Sequence, residues 1–276
     1  MDQLKARLIL AILLGGYSMQ GMAEDPSPAI SIKDPSKQIE FTAQKGVVCS
    51  QIDNTCTGQG SVKIVRGSTT LTCDKAIVYF DRADPEHHTV QKFEAFDQVI
   101  FTDAERNLKA TGSKAVYHLA HQSLTLSGNP VLSDEKMILY VGEAVMFSDI
   151  TNVAVTQGRS TVKREDTLIQ ADIFKIYFKK SAQGKLIFDH CEGSGNVILS
   201  TPTEIAKSKQ AFYKVDTEKA ELKEDVTITR AQGQLKGQYA VYDLKTGEGH
   251  IQNKDGKLRP VEALLTRLEP KSETHE

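Results

Sequence analysis

Between Gln38 and Lys257 apolar residues alternate with polar ones in short runs set apart by Gly, Asn and Asp, and hardly any stretch carries helical spacing. Ser61-Val62-Lys63-Ile64-Val65, Gln98-Val99-Ile100-Phe101, Asn196-Val197-Ile198-Leu199 and Val226-Thr227-Ile228-Thr229 show the period of two that turns successive side chains to opposite faces of a strand. Their Val, Ile, Thr and Phe content suits half-buried antiparallel strands. The predicted class is all-β.

Segments of the type small-polar-x-apolar-x-apolar recur along the chain: Ala43 to Val48, Cys73 to Val78, Gly112 to Tyr117, Val141 to Met146, Ala171 to Ile176, Lys207 to Phe212 and Lys236 to Val241. Their starts lie 30, 39, 29, 30, 36 and 29 residues apart. A second strand follows each, often opening as Gly-x-Val: Gly60-Ser61-Val62, Gly128-Asn129-Pro130-Val131, Gly195-Asn196-Val197 and, with Asp for Gly, Asp97-Gln98-Val99. The unit is an antiparallel hairpin of about 30 residues. Gly60, Gly128, Gly158 and Gly195 are turn or bulge positions, too widely spaced for a phosphate-binding loop. The two long spacings, after Cys73 and after Ala171, fall 98 residues apart, so a block of three hairpins is read as duplicated in tandem. Their extra residues, Pro85 to His88 and Ser181 to Lys185, are polar and belong at hairpin tips. One hairpin cannot bury its apolar face, whereas stacked ones can, which predicts an elongated stack with blocks at 38–137 and 138–256 packed continuously.

The ends differ. Lys5 and Arg7 precede an apolar run from Leu8 to Leu14 and then small and polar residues up to Ala23, the layout of a signal peptide over 1–23 cleaved after Ala23. Residues 24–37 read as a flexible leader and 257–276 as a charged tail, in which Pro260 to Leu268 has the spacing of one short helix. Export places the chain in an oxidising compartment, where Cys49 and Cys56 would face each other across a hairpin turning at Ile52-Asp53 and form a disulfide. Cys73 and Cys191 are read as free, buried thiols, although four cysteines permit three pairings.

A formal charge of -2, from 34 basic and 36 acidic residues without long basic runs, excludes a sequence-independent nucleic-acid binder. No Cys-x-x-Cys or His-x3-His spacing marks a metal site, and no cofactor is implied. Of the histidines at 87, 88, 118, 121 and 190, His118 and His121 fall on opposite faces of a strand, and Asp74, Asp172 and Asp225 recur near strand starts as turn residues. No catalytic residue is assigned, and the chain is expected not to be an enzyme.

Gly112-Ser113-Lys114-Ala115-Val116-Tyr117 followed by Leu126-Ser127-Gly128-Asn129, and Ala171-Asp172 to Tyr177 followed by Gly195-Asn196-Val197, resemble the OstA-like family of lipopolysaccharide-transport proteins, which includes LptA, LptC and the N-terminal domain of LptD. The resemblance spans essentially the whole mature chain. It implies an incompletely closed β-jellyroll in the periplasm that shields the acyl chains of lipopolysaccharide between the inner and outer membranes. The implied partners are inner- and outer-membrane transport components joined through edge strands, and further copies of the chain head to tail. At about 0.8 kcal/mol per methylene, a twelve-carbon chain costs roughly 10 kcal/mol to leave in water, so such a carrier needs an apolar groove. Alternation within the strands nominates Ile64, Val78, Phe80, Phe101, Leu139, Met146, Phe174, Ile176, Leu199, Phe212 and Val241 as inward residues for that groove. The same residues would serve equally as plain core. Two rival architectures share the repeat: a scaffold binding proteins through sheet edges without lipid, and a carbohydrate-active parallel β-helix, which would need shorter rungs.

Overall fold

Every second long strand is interrupted by two consecutive residues in the left-handed backbone region, and these interruptions build the fold. The computed structural model describes residues 8–11, 38–82, 90–104, 108–134, 137–181, 186–246, 248–251 and 261–265. Within them every regular element is a β-strand. The chain forms two compact units, Met1–Leu126 and Ser127–Glu276. Apart from Leu8–Ala11, the signal segment lies outside the described residues, as do the 24–37 leader, the tail beyond 265, and His87 and His88.

The first unit holds β1 (Leu8–Ala11), β2 (Gln38–Thr42), β3 (Val47–Ser50), β4 (Thr55–Arg66), β5 (Thr69–Phe80), β6 (Val90–Asp103) and β7 (Leu108–His118), and begins β8 (Ser123–Ser127). Strands β4 to β7 form an antiparallel meander. The first half of β4, from Thr55 to Gly58, pairs with β3. Its second half, from Lys63 to Val65, pairs with β2, which also carries β1. One long strand thus belongs to two layers: layer A on the β3 side of the kink and layer B on the β2 side.

The second unit continues with β9 (Val131–Ser133), β10 (Ile138–Tyr140), β11 (Ala144–Ser148), β12 (Val153–Gln157), β13 (Ser160–Arg164), β14 (Thr167–Ala171), β15 (Ile173–Lys180), β16 (Leu186–Ser200), β17 (Glu204–Lys214), β18 (Lys219–Arg230), β19 (Gly233–Asp243), β20 (Glu248–Ile251) and β21 (Glu262–Leu265). Here the first half of β16 pairs with β15, which continues through β12 to β11. The second half pairs with β14, which continues through β13 to β10 and β9. After the β16–β19 meander the split recurs, with β20 on the second half of β19 and β21 on the first.

The left-handed pairs are Gly60-Ser61 in β4, Asp97-Gln98 in β6, Gly195-Asn196 in β16 and Glu224-Asp225 in β18, with Gly128-Asn129 just before β9. The Gly-x-Val signature is therefore not the start of a strand, as alternation alone suggests, but a kink inside one. Between its two halves the kinked strand has three residues separating inward positions, as from Gly193 to Val197, whereas its neighbour has two, as from Ser208 to Ala211. That extra residue is the register shift of a bulge, and it bends the strand. Left-handed conformation costs a non-glycine residue roughly 1–2 kcal/mol. Polar contacts on the outer side offset it: Asn196 Nδ2 donates to Asp172 at 2.7 Å, Gln98 to Asp74 at 3.5 Å, and Lys209 pairs with Asp225 at 2.6 Å. The first two pairs lie 98 residues apart (74 to 172, 98 to 196), so the sequence repeat is repeated in contacts as well.

Bending brings the layers face to face. Glu204 and Tyr213 lie at opposite ends of β17, and Tyr242 shares a row with Tyr213 through Ala220. In a flat sheet Glu204 and Tyr242 would be about 30 Å apart at roughly 3.3 Å per residue. Instead the Tyr242 hydroxyl donates to the Glu204 carboxylate. In the first unit the Phe41 ring, opposite Ile64 in register, rests on Gly58, where an added Cβ would come within 2.6 Å of it.

One sequence expectation is corrected. The helix read into Pro260 to Leu268 is instead strand over Glu262–Leu265, because the free edge of β19 from Gly233 to Lys236 offers backbone partners that outweigh the local spacing.

Candidate functional site

Strand register separates an inner face, where the layers meet, from an outer one. In the first unit the inner face carries Val62, Cys73, Ala76, Ala95, Val99 and Ala115 close to the kinks, all buried. Toward the open ends of the strands it carries Ile64, Phe80, Phe93, Phe101 and Tyr117, which stay half-buried. Small residues fill the bend because facing backbones approach there. The row Gly58, Ala76, Ala95, Ala115 crosses four strands in register. Larger rings have room only away from it, and Phe93 stacks on Tyr117 at 5.4 Å between centroids.

In the second unit Leu139, Phe174, Leu199, Leu222, Ile228 and Ala240 occupy the buried inner face. The Phe174 ring covers Gly193, leaving 3.1 Å for a Cβ there. Toward the open ends, Phe147, Phe178, Phe188 and Tyr213 form a series with centroids 5.8, 6.3 and 6.3 Å apart. Ile176 lies inward beside Cys191 and is half-buried.

Of the residues nominated from alternation, Ile64, Val78, Phe80, Phe101, Leu139, Phe174, Ile176 and Leu199 fall on the inner face. Met146, Phe212 and Val241 do not. Met146 stands between inward Val145 and Phe147 and is 46% exposed. Phe212 pairs with Glu192 and Glu221 on the outer face, packing 5.2 Å from His190. Val241 is opposite Glu221, between inward Ala240 and Tyr242. For Phe212 and Val241 the error has one cause: the bulges shift parity within β17 and β19, so alternation counted from before the kink reverses after it.

Sequence reasoning missed the polar groups of the inner face. Arg164, at the end of β13 in layer B, donates from Nη1 to the Tyr213 hydroxyl at 2.7 Å and from Nη2 to Glu218 at 2.5 Å, both in layer A. Hydrogen bonding from Arg164 holds the Glu218 carboxyl below its ordinary range, and burial pushes the Tyr213 phenol up. A second bridge runs from Tyr242, fully buried, to Glu204, whose other oxygen lies 2.7 Å from Arg230 Nε. Arg230 also donates to the Gly249 carbonyl at 2.9 Å. Burial, then the bond to Glu204, raise the Tyr242 phenol. A cleft of roughly 630 Å³ opens beside this bridge, lined in part by Thr203, Glu204, Arg230 and His250.

Cys49 and Cys56 face each other in the β3–β4 ladder and are joined as a disulfide. Cys73 and Cys191 are buried free thiols, pushed by burial up to about 11 and about 12. Among the described residues no cluster of three His, Cys, Asp or Glu could hold a metal ion.

The model of a family described as "LptA/(LptD N-terminal domain) LPS transport protein" matches the chain twice, over residues 42–143 and 141–248. No curated protein matches. Among solved structures the chain is similar to LptH of Pseudomonas aeruginosa, "the LptA homologous periplasmic component of the conserved lipopolysaccharide transport device", at 13% identity and a TM-score of 0.26, over 60% of this chain and 99% of that one.

Proposed function

Because the chain belongs to the LptA/LptD N-terminal-domain family of lipopolysaccharide-transport proteins, we propose that it carries lipopolysaccharide through the periplasm with its acyl chains against the inner face between the layers. The family is one of transport proteins and not of enzymes. The observation that carries the reading is the graded burial of one continuous apolar face. Val62 and Val99 at the kink are wholly buried, whereas Ile64, Phe80, Phe93, Phe101 and Tyr117 on the same face remain half-buried. A filled core would have buried those rings, since each large aromatic gains from losing water contact. The residues of the acyl-chain surface in this reading are Ile64, Val78, Phe80, Phe101, Leu139, Phe174, Ile176 and Leu199.

Partners are met at sheet edges. Within the described residues β3 has β4 as its ladder partner in the first unit, and β20 and β21 have β19 in the second, so each unit has an edge strand with backbone groups available. Membrane transport components, or a second copy of the chain, would extend the ladders there. The basic and apolar N-terminal segment supports delivery to the periplasm.

The test is photo-crosslinking from p-benzoylphenylalanine at Ile64 or Phe101 in the folded mature chain given lipopolysaccharide, with outward Lys175 as control. Adducts at the inward positions and none at Lys175 are expected. Their absence at both inward positions would leave the chain as an edge-binding scaffold without lipid.

A further inference from the structure

On the inner face of layer B in the second unit, apolar character ends within one step of the ladder. Leu199, Ala206 and Ile228 form one wholly buried row across β16 to β18, and Leu235 of β19 continues it. Two residues farther out, about 7 Å along the strands, the next row reads Glu204, Arg230, Gly233. An acid and a base stand where continued alternation would put aliphatic side chains. Glu204 is only 8% exposed, and its two carboxylate oxygens face the Tyr242 hydroxyl and, at 2.7 Å, Arg230 Nε. Beside this pair opens the cleft of roughly 630 Å³, within the size range of small-molecule sites. Two tight turns side by side form one wall. The first, closed from Thr201 N–H to the Glu204 carbonyl at 2.9 Å, presents exposed Thr203, and the second, closed by the Arg230–Gly233 pair, presents exposed Gln232. β20 forms the other wall, and its Gly249 carbonyl accepts from Arg230 Nη2 at 2.9 Å.

The lining sorts ligands by what they can exchange with it. An acyl chain would cover Glu204 and Arg230 and offer neither a hydrogen bond, which leaves polar groups dry and unpaired. A lone anion finds the guanidinium already matched to a carboxylate, and a cation finds that carboxylate matched to the guanidinium. A hydroxyl group suits the cleft because it both donates and accepts. It can take an N–H from Arg230 or Gln232 and give its own proton to Glu204 or Thr203, and the adjacent hydroxyls of a sugar ring repeat the exchange. We propose that this cleft is a saccharide subsite. The proposal rests on the carrier reading above and names the part of the cargo concerned: the sugars of lipopolysaccharide lie between the two turns and β20, with the apolar inner face beyond the Glu204–Arg230 row left to its acyl chains. The turns are closed by backbone bonds without any ligand, so little ordering is needed on binding.

The experiment titrates the folded, isotope-labelled mature chain with oligosaccharide released from lipopolysaccharide by mild acid, and separately with a linear glucan and with inorganic phosphate, reading backbone amide shifts. The expected result is saturable shifts at Thr203, Ala231, Gln232 and His250 from the released oligosaccharide, with outward Lys175 unmoved. Thr203→Val combined with Gln232→Leu, both at exposed turn positions, leaves the rest of the spectrum in place and weakens binding about tenfold, the loss of two hydrogen bonds. Absence of saturable shifts at these amides, or a double variant that binds as the wild type does, overturns the subsite. The same shifts from inorganic phosphate make it an anion site and overturn the hydroxyl chemistry. An equal response to the glucan overturns the assignment to the cargo. Photo-crosslinking at Ile64 and Phe101 separates these failures from failure of the carrier reading. Adducts there without amide shifts remove the subsite alone, whereas no adduct at either position removes the carrier reading and the cargo assignment with it.

Discussion

Deleting Asn196 tests the kink. Odd-numbered positions of β16 face inward on both sides of the kink, from Cys191 and Gly193 to Val197 and Leu199, because the left-handed Gly195-Asn196 pair accommodates one residue more than β17 does. Without Asn196 the strand can form a regular ladder, and Val197 and Leu199 then rotate to the outer face. Both are now buried to within 1% of exposure, and each costs about 1.5–3 kcal/mol to return to water, so the deletion should cost roughly 3–6 kcal/mol. If the strand instead keeps those residues inward, it loses the bend that brings Tyr242 to Glu204, which is no cheaper. Two substitutions calibrate the scale. Asn196→Gly keeps the left-handed conformation and loses only the exposed bond to Asp172, for under about 1 kcal/mol. Asn196→Val forces a β-branched residue into that conformation and should cost about 2 kcal/mol. Urea unfolding followed by circular dichroism measures all three. A deletion variant within about 1 kcal/mol of wild type would refute the account of how the layers form.

Three further outcomes follow from the same structure. Replacing Cys49 and Cys56 by Ser opens a loop of sequence separation 7 and should lower stability by about 2.5 kcal/mol on the chain-entropy account, read as a lower urea midpoint equal to that of the reduced wild type. Glu218 has a lowered folded-state pKa, so its share of stability is complete above its ordinary value of 4.5 and fades as pH falls through the folded value. Arg164→Met should therefore flatten acid unfolding below that pH, and an unchanged pH profile would refute the Arg164–Glu218 pairing. With thiols raised to about 11 and about 12, Cys73 and Cys191 should resist iodoacetamide at pH 8 in the native protein and react after denaturation, and rapid native labelling would contradict their burial.

Class, repeat length and most of the inward set were legible in the sequence because a strand's period of two is a local property. Val62, Val99, Val197 and Val226 each follow a kink, and the alternation around them needs no tertiary knowledge. The 98-residue repeat was legible for the same reason and reappears in the Asp74–Gln98 and Asp172–Asn196 pairs. Alternation could not reveal how often it would be reset. The shift of parity in β17 and β19 is imposed by the bulges in the neighbouring β16 and β18, so Phe212 and Val241 turned outward although their local pattern pointed inward. Glu262–Leu265 became a strand because β19 had an unpaired stretch to offer, a fact held by another part of the chain. The interlayer bridges were beyond reach for a stricter reason. Arg164 and Glu218, or Tyr242 and Glu204, meet only after long strands bend, and a charged residue at a strand end looks the same in sequence whether it faces solvent or the opposite layer. Sequence by itself thus determined the strands and their repetition, whereas the direction of each face after a bend, and which charges the bend brings together, were decided by tertiary structure alone.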